Sequence, residues 1–482
     1  MPNDTYRDMP CNIIIVGASG DLAQRKLIPA LFSLYCNGML PAEFRIFGFA
    51  RSQLKDDEFR EKMMAYLTCR YIPEANKCET LMDEFLARCF YHPGAYASVD
   101  SFRGLDERIR RTYAPEANNL FYMAIPPSIF LDTASSIRES GMMELSPSRH
   151  WARVVLEKPF GRDSDSSAEL LLAMARIFTE EQTFRIDHYL GKEVIQNLMI
   201  LRFANLIFQP IWHHHHIESV DIAWSEKIGT AGRAGYFDHY GIIRDVLQNH
   251  LLQILALIGM EQPLSLAAED IRDEKVKLLR AVAPLRLEDV TVGQYTANTV
   301  GGVREPGYLD DPEVPRDSRT PTYARALLRV NNPRWYGVPF VLTAGKAVDT
   351  SKTEITVHFR GVPYSIFAGT DEAVVPNRLV IRVQPDEAVE LNIVNKLPGL
   401  AFDLEPAKLN LHYQSAFNQV VPEAYERLLL DVLRGDRSLF LRDDELAVSW
   451  GIVTPVLREL EAARIQPLPY PFGSGGPVLA DE

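Results

Sequence analysis

An α/β half followed by an α+β half is the fold class this sequence predicts, and three observations predict it. Up to about residue 186, apolar strand-like runs alternate with helical patterns, the signature of βαβ units around a parallel sheet. From about Ile217 the apolar residues recur at every second position, which suits a mainly antiparallel sheet. The chain has 482 residues, 46% hydrophobic and 24% charged, enough apolar material for large buried cores and two domains.

The elements follow in order. Asn12–Val16 reads as a buried strand, Leu27–Tyr35 as a helix and Phe44–Phe49 as a second strand. Further strands are expected at Leu120–Ala124, cut off by Pro126-Pro127, and at Arg153–Leu156, cut off by Pro159 and Gly161. Period-two alternation marks Ser219–Trp224, Thr353–Phe359 and Leu379–Val383, while Gly241–Met260, Ala424–Leu433 and Asp443–Leu460 read as helices. Gly301–Pro321 is expected to be a long loop, and the Pro/Gly-rich tail after Pro467 to be poorly ordered.

Composition excludes several functions. The net charge of -13 opposes a nucleic-acid partner, so any phosphate must meet a small local basic site. No run of about eighteen uncharged apolar residues predicts a membrane span, and Met1–Thr5 lacks the basic and apolar regions of a signal peptide, so cytosol is expected. The five cysteines (Cys11, Cys36, Cys69, Cys78, Cys89) are odd in number and lack CxxC spacing; they read as reduced thiols, without a zinc site.

Polar residues then locate the chemistry. Val16-Gly17-Ala18-Ser19-Gly20-Asp21-Leu22-Ala23 lies between a buried strand and a helix, where glycines let a pyrophosphate approach and the helix N-terminus offers N–H groups. Its G-x-x-G-x-x-A spacing also suits an ordinary tight turn. After the second strand comes Ala50-Arg51-Ser52, where Arg51 would grip a 2′-phosphate that an acid would repel; this favours NADP over NAD.

Arg185–Glu193 gathers Asp187, His188, Tyr189 and Lys192. With a helix beginning near Tyr189, His188 and Lys192 would lie one turn apart and converge on an anion such as a substrate phosphate. His250 falls on an otherwise apolar face with Ile243, Leu247, Ile254 and Leu257, so service as a general base requires a carboxylate partner. Asp245, five residues earlier, is turned away from it on an α-helix. As a strand, His213-His214-His215-His216 would present imidazole pairs, yet no Cys or acidic cluster accompanies them. They read as incidental or interface histidines, with no metal.

Five strings in order resemble the glucose-6-phosphate dehydrogenase family: Gly17–Ala23, Glu157-Lys158-Pro159-Phe160-Gly161, Asp187–Glu193, Gly241–Asp245 with Gln248-Asn249-His250, and Gly345-Lys346-Ala347. The resemblance implies a Rossmann-like NADP-binding domain (1–186) beside a β+α substrate-binding and oligomerisation domain (187–482). It implies oxidation of glucose 6-phosphate at C1 to the lactone, the first step of the oxidative pentose phosphate pathway, in a homodimer or homotetramer assembled through the large sheet. By the same carry-over His250 is the base and Asp187 its partner, while His188, Tyr189 and Lys192 hold the phosphate. Glu226, Asp245, Lys346 and Lys158 contact the sugar. Gly17, Ser19, Gly20, Asp21, Leu22, Arg51, Tyr91, Lys158 and Pro159 serve the cofactor.

Departures from the pattern are His213–His215 where relatives have Asn-Arg or Asn-Lys after the tryptophan, and Ser351 where a basic residue is frequent, with Lys352 beside it. Thr356, Glu390 and Asn392 stand at basic positions of a second NADP site found in some relatives, so no second site is expected, although Arg382 remains. A non-catalytic NADP-binding relative is the alternative reading.

Overall fold

The computed structural model describes residues 4–72, 74–112, 117–145, 150–367, 374–401, 403–417 and 419–478. Six strands, β1 (Cys11–Val16), β2 (Phe44–Ala50), β3 (Cys89–Pro93), β4 (Asn118–Met123), β5 (Ala152–Leu156) and β6 (Thr183–Ile186), run parallel in the spatial order 6-5-4-1-2-3. β1 and β4 are buried at every position, because helices cover both faces. This order is that of a doubly wound dinucleotide-binding sheet.

The second sheet has nine strands. They are β7 (Ile217–Ser225), β8 (Val290–Thr296), β11 (Tyr323–Arg329), β12 (Pro339–Gly345), β13 (Lys352–Phe359), β14 (Arg378–Gln384), β15 (Ala388–Lys396), β16 (Leu404–His412) and β18 (Leu468–Pro471). Their order is 16-15-14-13-7-12-11-8-18, antiparallel except for β7–β12 and β8–β18. A hairpin of β9 (Asn298–Val300) and β10 (Val303–Glu305) occupies part of the expected 301–321 loop. Along β13 and β14 buried residues alternate with half-exposed ones, so one face is covered and the other open.

Two expectations are corrected. The tail is not loose after Pro467: β18 joins the sheet edge, where prolines are tolerated, and Tyr470 is buried. Cys69 and Cys78 are joined as a disulfide with Cα atoms 6.0 Å apart, leaving Cys11, Cys36 and Cys89 as thiols. The chain turns between them into the helix Ala75–Leu86, a closeness that spacing alone does not reveal. In addition, β17 (Phe440–Leu441), far along the chain, pairs antiparallel with β6, so the first sheet borrows its edge from the C-terminal half. Among the described residues no helix is long and apolar enough to cross a membrane.

The helix Asp443–Ala462 ties the halves together. Its Trp450 is buried and donates through Nε1 to the Phe160 carbonyl at 2.9 Å, fixing the loop after β5. Its Glu445 meets Lys275 of the helix Ala268–Ala281 at 2.8 Å, with side chains 0% and 1% exposed. Removing one partner strands a buried charge, whereas removing both does not. Lys275→Met should therefore cost about 3–5 kcal/mol and the double variant with Glu445→Leu should regain most of it; urea unfolding midpoints check this.

Candidate active site

Strand register gathers the polar groups. Val16 stands opposite Phe49 and Met123, Met123 opposite Leu156, and Leu156 opposite Arg185. The segments that follow these strands therefore emerge side by side at the C-terminal edge, where open parallel sheets bind ligands. They are Gly17–Leu22, Arg51, Glu157–Pro159 and Asp187–Lys192.

Gly17 has φ +94°, and a Cβ there would lie 2.1 Å from the Ala124 carbonyl oxygen, so only glycine fits between β1 and β4. Ser19, Gly20 and Asp21 are exposed at the mouth of the turn and Leu22 is half-buried. Arg51 is exposed, its guanidinium 5.5 Å from the centre of the Tyr96 ring. Tyr91 lies deeper than a cofactor contact requires. Fully buried, it donates to the Ser52 carbonyl at 2.8 Å and shares a 2.7 Å hydrogen bond with the Ser52 hydroxyl, shaping the turn after Arg51. Lys158 donates to the Asp245 carbonyl (2.6 Å) and carboxylate (3.2 Å), and with Pro159, Asp187 and Asn249 it lines a small cleft.

His250 and Asp187 meet across the two halves. The His250 Nδ1 donates to the Asp187 Oδ1 at 2.5 Å, and the side chains are 3% and 1% exposed. The same Oδ1 accepts the Tyr189 N–H at 3.0 Å. A carboxylate can only accept here, so Nδ1 carries the proton and Nε2 keeps a free lone pair. Burial works against the Asp187 charge, but the His250 imidazole outweighs it and takes the carboxyl down to about 2. Burial lowers the His250 pKa, and Asp187 restores only part of the loss. The pair rests as carboxylate and neutral imidazole at neutral pH.

Backbone form explains why Asp245 joins this site. Ile243–Leu251 is a π-helix, whose wider turn brings residues five apart towards one side, before regular α-helix resumes at Leu252–Gly259. As the spacing predicts, Asp245 is not the hydrogen-bond partner of His250; its carboxylate accepts from Lys158 instead. Burial opposes its ionisation, yet Lys158 and then Lys346 hold its carboxyl below the usual range.

On the far side lies a cavity of about 920 Å³ lined by Lys26, Arg70, His188, Lys192, Glu387 and Tyr425, among others. The helix expected near Tyr189 begins at Glu193 instead; Asp187–Lys192 forms successive turns through Leu190 N–H to Asp187, Gly191 N–H to His188 and Lys192 N–H to Tyr189. Gly191 lets this turn touch the helix Ala424–Arg434, since a Cβ would lie 2.6 Å from the Ala424 carbonyl oxygen. His188 stacks on Tyr425 at 6.3 Å and 4°, and burial holds its imidazole neutral, making it an N–H donor rather than a charge. Lys192 donates to Gln384 at 2.6 Å. The Tyr189 hydroxyl is occupied: Trp224 (2.6 Å) and Gln384 (3.2 Å) donate to it, and Thr353 lies at 3.2 Å. Glu226 pairs with Lys346 at 2.7 Å, and Tyr470 from the edge strand donates to the Lys346 carbonyl at 2.7 Å.

Comparison with known proteins bears on this arrangement. Residues 14–197 match the family model described as glucose-6-phosphate dehydrogenase, NAD binding domain, and residues 199–482 that of its C-terminal domain. The chain belongs to the glucose-6-phosphate dehydrogenase family. It is 52% identical to chloroplastic glucose-6-phosphate 1-dehydrogenase 1 of Arabidopsis thaliana, covering 99% of this chain and 82% of that one. It is 48% identical to glucose-6-phosphate 1-dehydrogenase of Dictyostelium discoideum, covering 98% and 93%. A solved glucose-6-phosphate dehydrogenase in complex with glucose-6-phosphate superposes with a TM-score of 0.90 at 43% identity, covering 98% of this chain and 96% of that one.

The departures from this dehydrogenase family have structural places. Ser351 accepts the Lys227 N–H at 2.8 Å, while Lys352 turns to Glu354 at 3.1 Å. Arg382 is engaged by Glu390 at 2.8 Å. Sequence reading missed Tyr425 behind His188, Tyr96 beneath Arg51 and Gln384 beside Lys192, because each arrives from a separate element with no local motif. Glu157, in the second of the family strings, is half-buried and accepts a hydrogen bond from the Tyr122 hydroxyl.

Proposed function

We propose that this chain oxidises glucose 6-phosphate at C1 to 6-phosphoglucono-lactone, using NADP⁺, with His250 as general base and Asp187 as its partner. The observation that carries this reading is the buried Nδ1–carboxylate hydrogen bond, which leaves His250 Nε2 unprotonated, its ring 4.7 Å from that of His188 in the cavity wall. Nε2 takes the proton of the sugar's C1 hydroxyl, and Asp187 stabilises the imidazolium that forms. His188 and Lys192 hold the phosphate, with Tyr189 bracing the turn that carries them. Lys158, Glu226, Asp245 and Lys346 position the sugar hydroxyls, and their pairing as Lys158–Asp245 and Lys346–Glu226 supports a shared role.

The N-terminal turn fits a dinucleotide, because Gly17 is required by its φ and exposed Ser19, Gly20 and Asp21 leave the edge open. Leu22 flanks this turn, Arg51 meets the 2′-phosphate, and Lys158 and Pro159 border the nicotinamide end. NADP⁺, when bound, supplies the hydride acceptor. We further place the domain boundary at residue 187 and a dimer or tetramer interface on the open face of the nine-stranded sheet. Relatives named chloroplastic and a relative named cytoplasmic both match nearly the whole chain, so the fold is common to both.

Kinetics test these roles. His250 is active when neutral and its pKa is lowered from 6.5 by burial, so kcat/KM should hold through neutral pH and fall on the acid side with a midpoint below 6.5. Asp187→Asn removes the one strong influence raising that pKa, so the acid limb should move to lower pH while the plateau drops roughly 10²–10⁴-fold; His250→Asn should lose at least as much. Full turnover by His250→Asn would refute the base. Arg51→Ala should raise KM for NADP⁺ by roughly tenfold or more, the effect of about 1.4 kcal/mol, with little change for NAD⁺; equal losses with both cofactors would refute its role.

A further inference from the structure

We propose that His213, His214 and His215 form a binding site for a borderline divalent cation, Zn²⁺ foremost, remote from the dehydrogenase site. They occupy a turn rather than a strand, so neighbouring rings converge instead of alternating between faces. One ligand atom from each imidazole lies within 4.8 Å of the others, and the His214 and His215 ring centres are 3.9 Å apart.

Hydrogen bonds fix which nitrogens are available. A carbonyl oxygen accepts only, so His213 Nε2, 2.8 Å from the Pro210 oxygen, carries a proton, and His213 Nδ1 keeps its lone pair. His214 Nδ1 lies 3.3 Å from the Arg334 carbonyl and is likewise the donor, which leaves Nε2 free to ligate. A ring nitrogen that donates to a backbone carbonyl while the other faces the cation is the arrangement usual for metal-binding histidines. His215 is exposed, and its ring supplies the third nitrogen after rotation about its side-chain torsions. Its backbone N–H donates to His213 Nδ1 at 3.2 Å, so the cation would take the place of that contact.

The turn itself is held firmly. His216 and Ile217 N–H groups close on the His213 carbonyl, and Arg360 bonds the His214 and His216 carbonyls at 3.0 and 2.7 Å. Arg334 is neutralised by Glu261 at 2.6 Å. Three imidazoles without thiolate suit Zn²⁺ at about 2.0–2.1 Å with one position open to water. The site begins β7 while Glu226 follows its end, so roughly 30 Å of strand at about 3.3 Å per residue separates them. Nothing in the proton-transfer chemistry depends on it.

The test uses the full-length chain after chelator treatment, with Co²⁺ as spectroscopic probe and Zn²⁺ as competitor. The native chain should take up Co²⁺ in proportion to chain concentration, with d–d bands of imidazole ligation that Zn²⁺ abolishes. The double variant His213→Asn, His215→Asn should bind at least ~10-fold more weakly while keeping native turnover, which also reports its fold; should it fail to fold, His214→Asn alone is expected to give a similar loss. No stoichiometric uptake by the native chain overturns the site. Equal uptake by a folded variant also overturns it, and inhibition accompanying that uptake would place the ion at Asp187, His188 and His250 instead.

Discussion

A carboxylate from one sheet's edge and an imidazole from a helix of the other half meet at 2.5 Å, and the rest of the site is arranged around that contact. Asp187 is placed by the end of β6 and by its acceptance of the Tyr189 N–H. His250 is placed by the π-helical turn. Each group is buried and would resist its active state alone: burial penalises the carboxylate and leaves an unpaired imidazole N–H unsatisfied. Their hydrogen bond pairs Asp187 Oδ1 with His250 Nδ1, which fixes the tautomer and leaves the Nε2 lone pair of the ring free.

The same logic of paired opposites extends outward. Lys158 with Asp245 and Lys346 with Glu226 set each cation against an anion, so these side chains add no large net charge. With His188 neutral, Lys192 is the one formal cation that this turn contributes to the cavity lining. The helix Asp443–Ala462 steadies the arrangement from behind, through Trp450 on the Phe160 carbonyl. A strand near the C-terminus reaches it as well, because Tyr470 bonds the Lys346 carbonyl.

Much of this was legible in the sequence where one element carries its own signal. β1, β2, β4 and β5 each carry a continuous apolar stretch (Ile13–Val16, Ile46–Ala50, Leu120–Met123 and Val154–Leu156), and these residues are buried. β3, Cys-Phe-Tyr-His-Pro, and β6, Thr-Phe-Arg-Ile, escaped because they are short and mix polar with apolar residues. The helix Ala268–Ala281 escaped for its charges, and β18 because Pro469 and Pro471 read as disorder although an edge strand accepts them. At the site, motif residues were legible singly, but the Asp187–His250 contact spans 63 positions and came from the family resemblance. The π-helix had no sequence signal, so α-helical spacing turned Asp245 away from His250 and only the family resemblance put both at one site.

The central claim concerns one proton on one ring. Selective ¹⁵N labelling of histidine, with His250 assigned by substitution and followed by NMR across neutral pH, reads it directly. A neutral ring protonated at Nδ1 with an unprotonated Nε2, lost when Asp187 is replaced by Asn, is the predicted result. An Nε2–H tautomer, or an imidazolium already present at neutral pH, would contradict the account.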